Sequence, residues 1–123
     1  MTPTGGRDPG MGRAAIEIFF RIAARLGASA LDEATLLGVS LSEIERYHAG
    51  TVPEARDTLE RISHVTAIWI DLVTLFRTEK DARQWLRSPH QKFGGCSPLE
   101  RMLAGNVSDL VDVRSEIETA DLL

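Results

Sequence analysis

The sequence predicts an all-α fold: an N-terminal helix-turn-helix bundle, then one long helix, then a small C-terminal helical domain. Three observations predict it. Every periodic apolar segment in the 123 residues repeats at helical spacing, and none reads as a pair of strands. Glycines and prolines fall at the ends of those segments rather than inside them. With 43% hydrophobic and 26% charged residues, the chain can bury one core without a metal or disulfide to staple it.

Taken in order, residues 1–12 (MTPTGGRDPGMG) contain no apolar run, which excludes a signal peptide and predicts a disordered arm. The helix-turn-helix domain is expected over 13–53. Its first helix, RAAIEIFFRIAARLG, puts Ile16, Phe19, Phe20, Ala23 and Leu26 on one face and stops at Gly27. LDEATLLG and LSEIERYHAG follow as two short helices, each closed by a glycine. Residues 54–123 then form the long linking helix and the C-terminal domain. Pro53 sets the helix start near Glu54, with Glu54 and Asp57 in the electropositive first turn.

The long helix carries two apolar stripes. Leu59, Ile62, Thr66, Trp69, Val73 and Phe76 make one, and Val65, Ile68, Leu72 and Leu75 the other. One stripe can face the chain's own core; the second calls for another layer or a second copy, and a homodimer is expected. DARQWLRSP is a short helix ended by Pro89. After the loop HQKFGGC, Ser97, Pro98 and Glu100 spell a capping box with proline at the first helical position, and Gly105 closes that helix. The last helix, VSDLVDVRSEIETA, is expected to bury Val107, Leu110, Val111 and Ile117, leaving Leu122 and Leu123 at its end.

Charge is unevenly distributed. The net charge is −4, which argues against an all-over nucleic-acid coating. From Arg77 to Arg101 six basic residues face three acids, whereas from Gly105 onward Arg114 faces five acids. The single cysteine excludes an internal disulfide and points to the cytoplasm. The most apolar stretch, VTAIWIDLVTLF, has about 12 residues where a membrane span needs about 20, and Asp71 interrupts it.

ALDEATLLGVSLSEIERYHAG has helix-turn-helix spacing. Ala34 is the small residue that lets the two helices approach, Gly38 makes the turn, and Val39, Ile44 and Tyr47 are the anchors. The groove-facing candidates for DNA are Ser40, Ser42, Glu43, Arg46 and Thr51, with His48 nearby. Glu43 and Glu45 stand among them and repel phosphates, so operator binding requires two weak modules paired in a dimer. The alternative is a scaffold that keeps the fold without the affinity.

Catalytic patterns are poor. Cys96 served by His90 would need a third group to orient the imidazole, and both lie on one loop. Gly94-Gly95 lacks the lysine and hydroxyl residue of a phosphate loop. His48, His64 and His90 are too scattered for a metal site. The expectation is no enzyme, no cofactor, no metal and no small-molecule substrate, with His64 a partly buried core residue.

The second half resembles a known family. WLRSPHQKFGGCSPLERMLAGNVSDLVDVRSEIETA is similar to the Xre/MbcA/ParS toxin-binding domain through the ordered set Trp85, Pro89, Phe93, Gly94, Ser97, Pro98, Leu99, Glu100 and Gly105. A preceding helix-turn-helix is that domain's usual companion, so the resemblance extends from Arg13 to Ala120. It implies an antitoxin that binds a RES-domain toxin, an enzyme consuming NAD⁺, and that represses its own operon. It also implies toxin contacts at Trp85, Pro89, Phe93, Gly94, Ser97, Pro98 and Leu99. Charge adds the acidic last helix with Leu122 and Leu123, a tail suited to a site that handles an anionic dinucleotide. The competing readings are a stand-alone transcription regulator whose C-terminal half only dimerises, and a cysteine enzyme.

Overall fold

The computed structural model describes residues 9–119, whose regular elements are all helical, with no strand among them. The order is α1 (Pro9–Leu26), α2 (Ala30–Leu37), α3 (Leu41–His48), α4 (Arg56–Phe76), α5 (Glu79–Arg87), a 3₁₀ turn (Gln91–Phe93), α6 (Pro98–Met102) and α7 (Val107–Thr119). The chain divides into two compact units, Met1–Ser63 and His64–Leu123, with the division inside α4. Of the expected arm, residues 1–8 lie outside the described residues, and α1 already begins at Pro9.

In the first unit α1 buries Ile16, Phe19, Ile22, Ala23 and Leu26, and Gly27 ends it in the left-handed region at φ 73°. Ser29 caps α2. Its hydroxyl accepts from the Asp32 amide at 3.0 Å while its own amide donates to the Asp32 carboxylate at 3.1 Å. Gly38, Val39 and Ser40 join α2 to α3, and Gly38 takes φ 67°. Ala34, Ile44 and Tyr47 are buried and Val39 half-buried, so the helix pair closes on the residues its spacing marked.

The long helix starts at Arg56, two residues later than Pro53 suggested, and Glu54 lies outside its first turn. The reason is tertiary. A Cβ on Gly12 of α1 would stand 2.6 Å from Val52 Cγ1 and 2.7 Å from the Pro53 carbonyl oxygen. The segment before α4 therefore lies directly on α1, and Pro53 is buried there instead of opening the helix. The Ala55 carbonyl accepts the first helical bond, from Leu59 N–H at 3.1 Å.

The expected need for a second copy along α4 is corrected by burial. Val65, Ile68 and Leu72 are at most 1% exposed in the single chain, and Leu75 is half-buried. The other stripe is the less covered one, since Leu59, Thr66, Val73 and Phe76 are half-buried although Ile62 and Trp69 are buried.

In the second unit Thr78 caps α5 by accepting from the Asp81 amide at 3.2 Å. Ala82, Trp85 and Leu86 face inward, and Pro89 follows the helix end. The loop after it closes on itself through His90 N–H to Cys96 O and Gly95 N–H to His90 O, both 3.0 Å. The capping box of α6 forms as spelled: the Ser97 hydroxyl accepts from Glu100 N–H at 3.1 Å, and Ser97 N–H donates to the Glu100 carboxylate at 2.9 Å. In α7 the inward face is Leu110, Val113 and Ile117. Val111 is 44% exposed and Val107 half-buried. The i, i+3, i+7 spacing of the true face skips Val111, a correction to the expected set.

Candidate functional site

Two places gather the residues that carry chemistry, one in each unit.

In the first unit, Ser40, Ser42, Arg46 and Thr51 are exposed and Glu43 half-buried, all on α3 or its flanks. Two are already occupied locally. Ser40 caps α3, accepting from Glu43 N–H at 3.1 Å, and the Arg46 guanidinium donates to the Glu43 carboxylate one turn away. The cation and an acid of the expected groove face thus neutralise each other. Burial, with Glu43 close by, pushes the Tyr47 phenol above its ordinary value, so it remains protonated behind this face.

Sequence reasoning missed the fastening of α3. His48 Nε2 lies 2.9 Å from the Glu33 carboxylate of α2, and Glu33 is 7% exposed. The imidazole also stacks on Phe20 of α1, with centroids 3.8 Å apart and planes at 15°. One residue therefore ties the last turn of α3 to both preceding helices. The available signal was the acid at position 33, on the inward face of α2 with Ala34, Leu36 and Leu37, where a lone carboxylate requires a partner.

In the second unit, the structure places the resemblance residues in two groups. Trp85, Phe93, Ser97 and Pro98 are buried, whereas Pro89 and Gly94 are exposed and Leu99 is half-buried. Leu122 and Leu123 lie outside the described residues. Trp85 and His90 meet edge-on at 5.0 Å, the His90 and Phe93 rings are 6.1 Å apart, and the Arg101 guanidinium stands 5.6 Å above Phe93. Gly94 and Gly95 adopt φ 66° and 88°, which lets the loop turn tightly after Phe93. Cys96 is an exposed free thiol.

The acidic last helix is largely committed inside its own unit. Arg101 donates to Asp109 at 2.9 Å and to Asp112 at 3.0 Å, and these bonds, Asp112 first, hold its guanidinium above the usual arginine value. Asn106 donates to the other Asp109 oxygen at 3.1 Å. Lys92 pairs with Glu116 at 3.2 Å. Arg114 Nη1 approaches His64 Nδ1 at 3.2 Å. His64 is half-buried on α4, as expected. The charge asymmetry visible in sequence is therefore mostly an internal seam joining the loop and α6 to α7. Only Glu118, exposed, stands outside it among the described acids of α7.

Among the described residues no group of three metal-binding side chains comes together, and no helix is long and apolar enough to cross a membrane.

The family of the antitoxin Xre/MbcA/ParS C-terminal toxin-binding domain matches residues 71–120, nearly all of the second unit. The chain is also similar to the protein named "Uncharacterized protein y4oB" of Sinorhizobium fredii (strain NBRC 101917 / NGR234), 42% identical over 108 residues, covering 85% of this chain and 82% of the relative. The ordered set from Trp85 to Gly105 lies inside the matched residues, and the chain belongs to the family of the antitoxin Xre/MbcA/ParS C-terminal toxin-binding domain.

Proposed function

We propose that the protein is the antitoxin of a type II toxin-antitoxin pair, that its partner is a RES-domain toxin consuming NAD⁺, and that it represses its own operon from the cytoplasm. The observation that carries this is the coincidence of the toxin-binding family match, 71–120, with a self-contained unit preceded by a helix-turn-helix. Within that unit Trp85, Phe93, Ser97 and Pro98 hold the shape. Toxin contact then falls to the surface they support, including Pro89, Gly94, Leu99 and the tail with Leu122 and Leu123.

The protein works as a homodimer in this reading, and its apolar surface for a second copy is on α1. Met11 and Ile18, 57% and 42% exposed, lie seven residues apart on one face of that helix.

Co-expression tests the function. Cells expressing a RES-domain toxin should lose NAD⁺ and stop growing, and co-expressing this chain should restore both, with the two proteins purifying together. Unchanged NAD⁺ loss and no complex would leave the stand-alone regulator, whose C-terminal half only dimerises. The purified chain alone should sediment at the mass of two copies.

The DNA half has its own expected result. Glu43→Gln releases Arg46 from its internal pair and removes a repulsive charge, so operator affinity should rise about 3- to 10-fold at low salt, and the rise should shrink as salt increases. Arg46→Ala should weaken binding. Gel-shift titrations across salt concentrations check both; identical affinities for all three proteins would mean α3 does not read DNA.

A further inference from the structure

Where α4 ends and α5 begins, the second unit has an open concavity of about 320 Å³ lined by Phe76, Asp81, Gln84, Trp85 and Ser88. Its apolar lining is the half-buried Phe76 and Trp85, which is 9% exposed. The Ser88 hydroxyl is taken by the Gln84 carbonyl at 2.7 Å, and Asp81 sits in the first turn of α5, where the helix dipole favours a carboxylate.

The residue between the two helices is anomalous. Seven described residues have positive φ; six are glycines, and the seventh is Arg77 at φ 67°. Its amide donates to the Val73 carbonyl at 2.8 Å, so it occupies the left-handed stop of α4, the position glycine fills at the ends of α1 and α2. A side chain there is strained, and this one is charged and exposed.

Charge separates this corner from the rest of the basic segment. Arg83 pairs with Glu79, Lys92 with Glu116, and Arg101 with Asp109 and Asp112, and Arg87 also has a partner. Arg77 and Lys80 are exposed and have no side-chain partner among the described residues. The two are the sequence neighbours of Phe76 and Asp81, which line the concavity.

The geometry points to this concavity as a docking site on the toxin-binding unit for an acidic-apolar protein segment: a large apolar side chain enters between Phe76 and Trp85, and neighbouring carboxylates pair with Arg77 and Lys80. This rests on the antitoxin reading and names one surface through which the toxin is held. It also gives a reason for arginine at a glycine position, since the guanidinium repays its backbone strain only when bound.

The test uses the full chain and three short peptides, Glu-Asp-Leu-Leu-Glu, Lys-Lys-Leu-Leu-Lys and Glu-Asp-Ser-Ser-Glu, titrated by NMR with the Trp85 indole and the Arg77 and Lys80 amides as reporters. The acidic-apolar peptide should bind about tenfold more tightly than either of the others and weaken as salt rises. Arg77→Gly should raise the thermal midpoint by about 4 °C while weakening that peptide about fivefold or more, a pairing a purely structural residue would not produce. Arg77→Lys should keep the affinity, and Ser88→Trp, which fills the concavity, should abolish it. Equal binding of all three peptides, no binding, preference for the basic peptide, or an unchanged affinity in Arg77→Gly would each overturn the proposal. If the wild-type chain still neutralises the RES-domain toxin in cells, those results refute the docking site alone; failure to neutralise with the peptide results intact refutes the choice of toxin alone.

Discussion

Phe93→Ala should destabilise the second unit by about 3–5 kcal/mol, the range for emptying a buried aromatic site. Phe93 is 6% exposed, its backbone is pinned by the left-handed Gly94 that follows, and Arg101 covers its ring. Removing the ring opens a space that neither neighbour can collapse into, because Arg101 is anchored by two aspartates. The expected readouts are a large fall in the melting temperature of this unit and loss of toxin neutralisation, with the helices of the first unit retained by circular dichroism. If Phe93→Ala instead melts like the wild type and still fails to neutralise, Phe93 touches the toxin directly and its burial here is released on binding.

That result bears on how a family pattern should be read. The residues that make the resemblance recognisable are mainly those the fold needs: a buried indole and phenyl ring flanking a glycine turn, and a serine and proline starting a helix. A surface in contact with a particular partner has no such fixed spacing. Arg77 and Lys80 are not part of the ordered set that carries the resemblance, although among the described residues of the second unit they are the basic side chains without a partner.

Local chemistry made much of the fold legible. Helix ends were readable because caps and stops are local: Gly27, Gly38 and Ser97 act within four residues of themselves. The start of α4 was not, because Pro53 is held by Gly12, some forty residues away. Val111 was misplaced for a related reason. Val107, Leu110, Val111 and Val113 offer two overlapping apolar faces, and only the packed structure chooses Leu110 and Val113. Net charge by segment gave the correct signs but not their use, since complementary blocks can face a partner or each other. Here Lys92 and Arg101 face α7.

His48→Ala should loosen the first unit by about 2 kcal/mol, mostly through what it leaves behind. The imidazole is 48% exposed, so its electrostatic attraction to Glu33 is screened and contributes little by itself. The Glu33 side chain, however, is 9% exposed, and without Nε2 at 2.9 Å its carboxylate loses that hydrogen-bond partner in the interior. The stack on Phe20 adds about 0.5–1.5 kcal/mol. Three variants separate these parts in urea unfolding. His48→Phe keeps the stack and loses the hydrogen bond, His48→Ala loses both, and His48→Ala with Glu33→Met removes the stranded carboxylate and should recover much of the loss. On the proposed function the readout should divide in the same way: α3 becomes loosely held, so operator affinity falls, while toxin neutralisation, assigned to the unit that holds the family match at 71–120, persists. Equal unfolding of His48→Ala and wild type would show that Glu33 finds water or another donor at no cost, and that His48 does not fasten the recognition helix.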